Sequence, residues 1–78
     1  MKTRIKETRL DLNMTQETLG EKANVSSKQI YRIENEEQIP RTDTLVNIAE
    51  ALETTVSYLI YESETKDRIN IGSIETVK

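Results

Sequence analysis

The sequence contains no cysteine and no histidine among its 78 residues. Without cysteine, neither a disulfide framework nor a thiolate metal site can form. The absence of histidine removes the commonest metal ligand and the commonest general base. A glycine-rich loop that would hold phosphates is also missing, since the chain has only two glycines. An enzyme is therefore the least favoured class of function, and we expect no metal and no cofactor.

Long hydrophobic runs are absent as well. No apolar segment approaches the roughly 20 residues that a helix needs to span a bilayer, and no signal-peptide pattern opens the chain. We therefore expect a cytoplasmic protein with no membrane partner. The length allows one domain at most, and because so small a core gives little stability by itself, dimerisation would help.

The formal net charge of -3 is unevenly distributed along the chain. Residues 1–41 contain eight Lys and Arg against seven Asp and Glu, whereas residues 42–78 contain three against seven. An acidic total argues at first against a polyanionic partner. The local charge on a docking face matters more than the total, however, so this argument is weak.

The segment from Gln16 to Asn35 contains two short helical patterns joined by a tight hinge. Its apolar residues recur one helical turn apart in each half, so each predicted helix has one buried stripe, and the two stripes face each other. Gly20 within the first helix costs roughly 1 kcal/mol relative to alanine, which indicates that another backbone approaches closely there. Asn24 suits the left-handed conformation of the hinge, and Ser26 or Ser27 can cap the second helix.

The exposed positions of this second helix all carry hydrogen-bond donors, and none is acidic. They are Ser27, Lys28, Gln29, Tyr31 and Arg32. Two helices at such spacing form a helix-turn-helix, in which the second helix lies in the DNA major groove.

The remaining apolar periodicity completes an all-α fold of five helices. The first helix is predicted from about Lys2 to Leu12, with Ile5, Leu12 and parts of Thr8 and Arg9 buried. The second follows Thr15 as its N-cap, and the third covers roughly Ser27 to Glu34. The fourth is predicted from about Thr42 to Leu52. The fifth runs from Val56 to Tyr61, capped by Thr55, with Leu59 and Ile60 facing inward.

We divide the chain into a domain over residues 1–62 and a C-terminal tail over residues 63–78. In the tail, Ile69 and Ile71 alternate with polar neighbours and Gly72 follows. A short strand and a disordered segment are equally consistent with this pattern. If a strand forms, its edge needs a partner, and pairing with a second copy would make the tail a dimerisation element.

From Ile5 to Ile60 the chain resembles the Cro and phage-repressor type of helix-turn-helix protein, the xenobiotic-response-element (XRE) family. The matching residues are Arg9, Met14 to Leu19, Val25, Ser26, Ile30, Ile33 to Asn35, Ile39, Pro40 and Leu45 to Leu52. The resemblance implies a lambda-repressor-like domain that binds double-stranded DNA.

The resemblance also implies roles for individual residues. Ser27, Lys28 and Arg32 occupy base-reading positions, Gln29 lies nearer the flank of this face, and Tyr31 offers its ring to a thymine methyl or its hydroxyl to a phosphate. Three further residues match positions that contact the DNA backbone: Gln16, Ser26 and Asn35. Arg41 matches a loop residue that reaches the minor groove in some relatives, although a plain solvated arginine is equally consistent.

Arg9 and Glu34 match a structural ion pair that links the first and third helices in this family. The sequence departs from the family at four positions where glycine is frequent: Asn13, Asn24, Glu36 and Glu53. The asparagines are sterically cheap replacements, whereas the two glutamates imply either a small strain or an altered loop. Glu36 and Glu37 also place negative charge near the expected DNA-facing loop.

The leading hypothesis is a sequence-specific transcriptional regulator, a repressor that binds a palindromic operator as a homodimer and reads the major groove with its third helix. The alternative is an antitoxin or another protein-interaction module of the same fold, with a protein partner bound by the acidic second half.

Overall fold

The computed structural model describes residues 2–61. In this range the chain forms five α-helices and no strand, which confirms the predicted all-α fold. The helices are α1 (Ile5–Asp11), α2 (Gln16–Ala23), α3 (Ser27–Glu34), α4 (Thr42–Ala51) and α5 (Val56–Leu59). The predicted tail, residues 63–78, lies outside the described residues. None of the helices described here has the length and apolarity to cross a membrane.

The first helix is shorter than predicted. It begins at Ile5, whose backbone N–H donates to the Thr3 hydroxyl at 3.3 Å, and it ends at Asp11. The prediction that Leu12 is buried is wrong: this residue follows the last helical residue and is 42% exposed. Thr8 and Arg9 are buried. The last helix is also shorter than predicted, since it ends at Leu59.

Three helices begin at a hydroxyl-bearing N-cap. Thr15 accepts a hydrogen bond from the Thr18 N–H at 2.9 Å and thereby starts α2. Of the two serines considered for α3, Ser26 is the cap, and its Oγ accepts from the Gln29 N–H at 3.1 Å. Thr55 caps α5 in the same way. Each cap satisfies a backbone donor that has no partner within its helix, worth about 1 kcal/mol.

A single hydrophobic core joins all five helices, and its members are at most 9% exposed. The core residues are Ile5, Leu19, Ala23, Ile30, Ile33, Leu45, Ile48, Ala49, Leu52, Tyr58 and Leu59. Val25, which follows the hinge, is partly buried against this core. One face of α3 is thus fixed inside the domain, and the opposite face is left for other contacts.

The hinge between α2 and α3 is as tight as the glycine predicts. Asn24 adopts the left-handed conformation with φ of 61°, and the Val25 N–H donates to the Gly20 carbonyl at 2.9 Å. A Cβ atom at Gly20 would lie 2.6 Å from the Val25 carbonyl oxygen and 3.3 Å from the Ser27 nitrogen. Only a glycine allows the two backbones to approach this closely.

Arg9 and Glu34 form a buried ion pair between α1 and α3. The Arg9 Nε and Nη2 atoms donate to the two Glu34 carboxylate oxygens at 2.7 and 3.1 Å. The Arg9 and Glu34 side chains are 8% and 1% exposed. The remaining Arg9 terminal nitrogen, Nη1, donates to the Met14 carbonyl at 2.7 Å, so the guanidinium also fixes the turn before α2.

Arg4 fastens the start of α1 to α5. Its backbone N–H donates to the Leu59 carbonyl at 2.7 Å, and its Nη1 donates to the Tyr58 carbonyl at 3.1 Å. The guanidinium also lies over the rings of Tyr58 and Tyr61, at 4.3 and 4.2 Å from their centres. Cation–π contacts of a desolvated arginine of this kind stabilise by about 0.5–2 kcal/mol each.

All four residues that replace a family glycine have positive φ. The values are 58° for Asn13, 61° for Asn24, 62° for Glu36 and 58° for Glu53. The loops therefore keep the left-handed geometry, and the two glutamates hold it at a cost of roughly 1–2 kcal/mol each. Of the two consequences expected for these glutamates, strain rather than a changed loop is observed.

We expect Gly20→Ala to destabilise the fold by about 1–3 kcal/mol, because the added methyl group forces apart the backbones of α2 and the hinge. The measurement is the midpoint of urea unfolding. Glu21→Ala is the matched control: it adds no atoms on the exposed side of the same helix and leaves the midpoint nearly unchanged. An unfolding midpoint for Gly20→Ala at or above wild type would contradict the close approach.

We expect Glu34→Ala to lower the free energy of unfolding by about 3–5 kcal/mol, because it leaves the Arg9 guanidinium buried without its charged partner. The change should lower stability before it alters any preference for DNA sequence. Glu37→Ala, which removes an exposed carboxylate nearby, serves as the control and should shift stability by less than about 0.5 kcal/mol. A Glu34→Ala protein that melts like wild type would rule out this ion pair.

We expect Glu53→Gly to raise the free energy of unfolding by about 0.5–1 kcal/mol, because relief of left-handed strain outweighs the greater freedom of glycine in the unfolded chain. Glu50→Gly makes the same chemical change within α4 and should cost about 1 kcal/mol. Thermal unfolding of both variants checks the prediction, which fails if the two substitutions shift stability in the same direction.

Candidate nucleic-acid interface

The outward side of α3 presents a row of polar and aromatic side chains. Ile30 and Ile33 fix the inner side of the helix in the core, at 0% and 1% exposure. The opposite side carries residues spaced by three and four positions, which place their side chains on one face. We call this face the outer stripe, and it consists of Lys28, Tyr31, Arg32 and Asn35, all exposed.

The cations of the outer stripe have no partner within the described residues 2–61. Among residues 2–61, no hydrogen bond or ion pair engages the side chain of Lys28 or of Arg32. Tyr31 is 50% exposed. Asn35 is partly used within the helix end, since its Nδ2 donates to the Tyr31 carbonyl at 3.0 Å. The side-chain donors of Lys28 and Arg32 are therefore available to a ligand, on a helix whose backbone is fixed by the core.

Ser27 and Gln29 lie on the two flanks of the stripe. Successive residues of a helix are rotated by about 100°, so these neighbours of Lys28 point to either side of it. Both are partly buried, whereas Lys28 is exposed. The Ser26 hydroxyl, one residue earlier, is occupied as the cap of α3. Of the residues predicted to contact bases, Lys28, Tyr31 and Arg32 thus share one face, with Ser27 and Gln29 at its edges.

Gln16 occupies the first position of α2, where backbone N–H groups favour an anion. Its Nε2 donates to the Glu34 Oε1 atom at 3.1 Å. Because a carboxylate only accepts hydrogen bonds, the amide must present its nitrogen to Glu34, which leaves one N–H for an external acceptor. The ion pair between Arg9 and Glu34 thus also holds the residue expected to bind a phosphate.

This link between Gln16 and Glu34 is the contact that the sequence analysis missed. The two residues are 18 positions apart, and Gln16 and Glu34 were assigned to separate roles. No signal in the sequence points to this contact, since Gln16 and Glu34 lie at the ends of α2 and α3 that are farthest along the chain from the hinge.

The loop between α3 and α4 carries exposed charges of both signs. The Arg41 side chain is 85% exposed, and its Nε lies 3.7 Å from the Asp43 Oδ1 atom, which is similarly exposed. So loose a surface pair contributes little and leaves the guanidinium able to turn outward. Glu36 and Glu37 are exposed in the same loop. Their carboxylates oppose phosphate contacts at this end of α3.

Carboxylates do not gather into a metal site in the described part of the chain. Across residues 2–61, no three Asp or Glu side chains lie close enough together to hold an ion. The donors on α3 and at the start of α2 are suited instead to anionic oxygens and to acceptors on base edges.

Comparison with known proteins agrees with this geometry. The family model described as helix-turn-helix matches residues 5–59, while no curated protein matches the sequence significantly. The chain is similar to the P22 c2 repressor crystallised with a synthetic operator in the presence of Tl⁺, with 30% identity, 77% of this chain and 91% of that chain covered, and a TM-score of 0.73. It is also similar to the solution structure of the P22 c2 repressor DNA-binding domain, with 28% identity, 86% of each chain covered and a TM-score of 0.73.

A family match over most of the chain and a similar fold throughout the matched region lead to one conclusion. The protein belongs to the helix-turn-helix family and is of the Cro and phage-repressor type.

Proposed function

We propose that this protein is a sequence-specific DNA-binding transcriptional regulator, and more narrowly a repressor that binds a palindromic operator as a dimer. The observation that carries the proposal is the outer stripe of α3, whose two cations are exposed and find no partner among residues 2–61. The similarity to a repressor solved together with its operator supports it.

In this proposal α3 lies in the major groove, and Lys28 and Arg32 contact guanines. Arginine or lysine bound to guanine O6 and N7 is the commonest specific contact between proteins and base pairs, worth about 1–3 kcal/mol of discrimination. The helix is fixed through Ile30, Ile33 and the Glu34 carboxylate. The backbone of α3 is therefore already ordered before binding, and only the side chains have to be fixed by the bases.

Contacts to the DNA backbone set the register of α3 without reading sequence. Gln16 has one amide N–H left for a phosphate at the start of α2, and Ser26 and Asn35 lie at the two ends of α3. Arg41, in the loop that follows α3, is 85% exposed, and we expect its guanidinium to extend the contacts along the duplex. The exposed Glu36 and Glu37 limit the phosphate affinity, so we expect modest nonspecific binding that falls steeply with salt.

The small size of the reading surface supports binding as a dimer. The outer stripe extends from Lys28 to Asn35, which is about 10 Å along the helix axis, or about three base pairs. So short a site gives little specificity on its own. Two copies related by a twofold axis would read two half-sites about 34–36 Å apart, as helix-turn-helix dimers do. Occupation of such an operator would then repress without any chemistry.

The test is selection of bound duplexes from a random DNA pool, followed by affinity measurements with Lys28→Ala and Arg32→Ala. We expect an enriched twofold sequence with guanines in each half-site, and a loss of about 10-fold or more in affinity for each variant, since each removes a base contact.

Lys22→Ala, which removes an exposed charge in the last turn of α2, should bind the same sequence with nearly wild-type affinity. The proposal fails if the protein ignores duplex DNA at low ionic strength, or if both α3 variants keep the wild-type sequence preference.

A further inference from the structure

We infer that Glu34 is a positioning residue for DNA binding, which acts through Gln16 and raises the affinity for a DNA phosphate. As the buried partner of Arg9, Glu34 also stabilises the fold. The inference rests on the proposed function and deepens it, because it gives the ion pair an effect on binding that is separate from its effect on stability.

The carboxylate of Glu34 is a fixed acceptor. Its side chain is 1% exposed, and the Arg9 Nε and Nη2 atoms donate to its two oxygens at 2.7 and 3.1 Å. The Gln16 Nε2 atom donates at 3.1 Å to Oε1, the oxygen that also accepts from Nη2. A carboxylate held by two donors of one guanidinium has little freedom to rotate. The orientation of the Gln16 amide is therefore set from inside the domain.

A side-chain amide can join two anionic acceptors, because its nitrogen carries two N–H donors. One N–H of Gln16 is directed at Glu34, and the second is left for an acceptor outside the domain. A hydroxyl at this position would offer a single donor and could not serve both acceptors. The positive charge of Arg9 compensates that of Glu34, which reduces the repulsion between the buried carboxylate and a phosphate bound by the amide.

An amide that is fixed before DNA arrives binds a phosphate more tightly than a free one. A long side chain that is mobile in the unbound protein loses rotamer freedom on binding, which lowers affinity by about 2- to 10-fold. Gln16 is partly buried and already hydrogen-bonded, so much of this freedom is lost on folding. We expect the gain in affinity to be the same for all DNA sequences, because a phosphate does not identify a base.

The experiment measures the effect of Gln16→Ala on operator affinity in two backgrounds, the wild type and the double variant Arg9→Met/Glu34→Met. The double variant removes the ion pair as a unit, and replacement of a buried pair by apolar residues of similar size is often neutral for stability. In the wild type we expect Gln16→Ala to lower affinity about 10-fold, as for a lost hydrogen bond to a charged group. The double variant should itself bind about 2- to 10-fold more weakly, and Gln16→Ala should then lower affinity by about fivefold or less.

Lys28→Ala is the control for the mode of binding. It removes a proposed base contact at the other end of α3 and should lower affinity by the same factor in both backgrounds. The selected DNA sequence should also be the same for the wild type and the double variant. Circular dichroism melting checks that each variant is folded.

A second measurement needs no DNA. Gln16→Glu places an oxygen where the amide nitrogen faces the Glu34 carboxylate, so we expect a lower midpoint of urea unfolding. At an ordinary surface position, a negative charge in the first turn of α2 would instead stabilise the helix. Gln29→Glu makes the same chemical change in the first turn of α3, three residues after its cap, and should leave the midpoint unchanged or raise it.

The inference is overturned if Gln16→Ala lowers affinity by the same factor in both backgrounds, or if Gln16→Glu raises the unfolding midpoint as Gln29→Glu does. Neither result affects the proposed function, which requires only that the wild type binds a selected sequence. If the double variant does not fold, the two glutamate variants still decide whether Glu34 fixes the amide, since both keep the ion pair. Failure of the wild type to bind any duplex would reject the proposed function, and the role of Glu34 in binding with it.

Discussion

The Glu34 carboxylate is the point on which the relative positions of three helices depend. It accepts two hydrogen bonds from Arg9 of α1 and one from Gln16 of α2, while its own backbone ends α3. Because the side chain is almost fully buried, its charge must be compensated, and the three donors come from two other helices that must be in place to supply them. Hydrophobic packing fixes the inner side of α3, but this carboxylate fixes its end. The orientation of the outer stripe therefore depends on a contact made on the opposite side of the helix.

The approximate bounds predicted for the third helix agree with the structure, whereas those predicted for the first do not. The apolar stripe of α3 and the serines before it predict a helix that starts near Ser27, and the structure then shows which serine is the cap, Ser26. In α1 the polar residues near the start gave no clear signal, and the Thr3 hydroxyl competes with earlier helical turns by accepting from Ile5. Leu12 fits the apolar pattern, but it follows the end of the helix and faces solvent. Apolar character alone does not show where a helix stops.

Most contacts between residues distant in sequence could not be predicted from local sequence patterns. The resemblance to the family implied that Arg9 and Glu34 pair, and the two side chains do lie together. No spacing rule indicates that Gln16 joins the same carboxylate, or that Arg4 lies between the rings of Tyr58 and Tyr61. Each of these contacts depends on how whole helices pack, which local propensity does not determine. The sequence indicates which four positions depart from the family glycines. Whether Glu36 and Glu53 adopt a strained left-handed conformation or change the loop is shown only by their backbone angles.

The contacts of Arg4 have a consequence for how the domain opens. This one residue joins the beginning of α1 to the end of α5 through two hydrogen bonds and two ring contacts. Helix ends usually fray independently and at low cost. Here, separation of either end breaks contacts that also hold the other end, so opening at one end weakens the attachment of the other. Fraying at the two ends is thereby coupled through a single side chain.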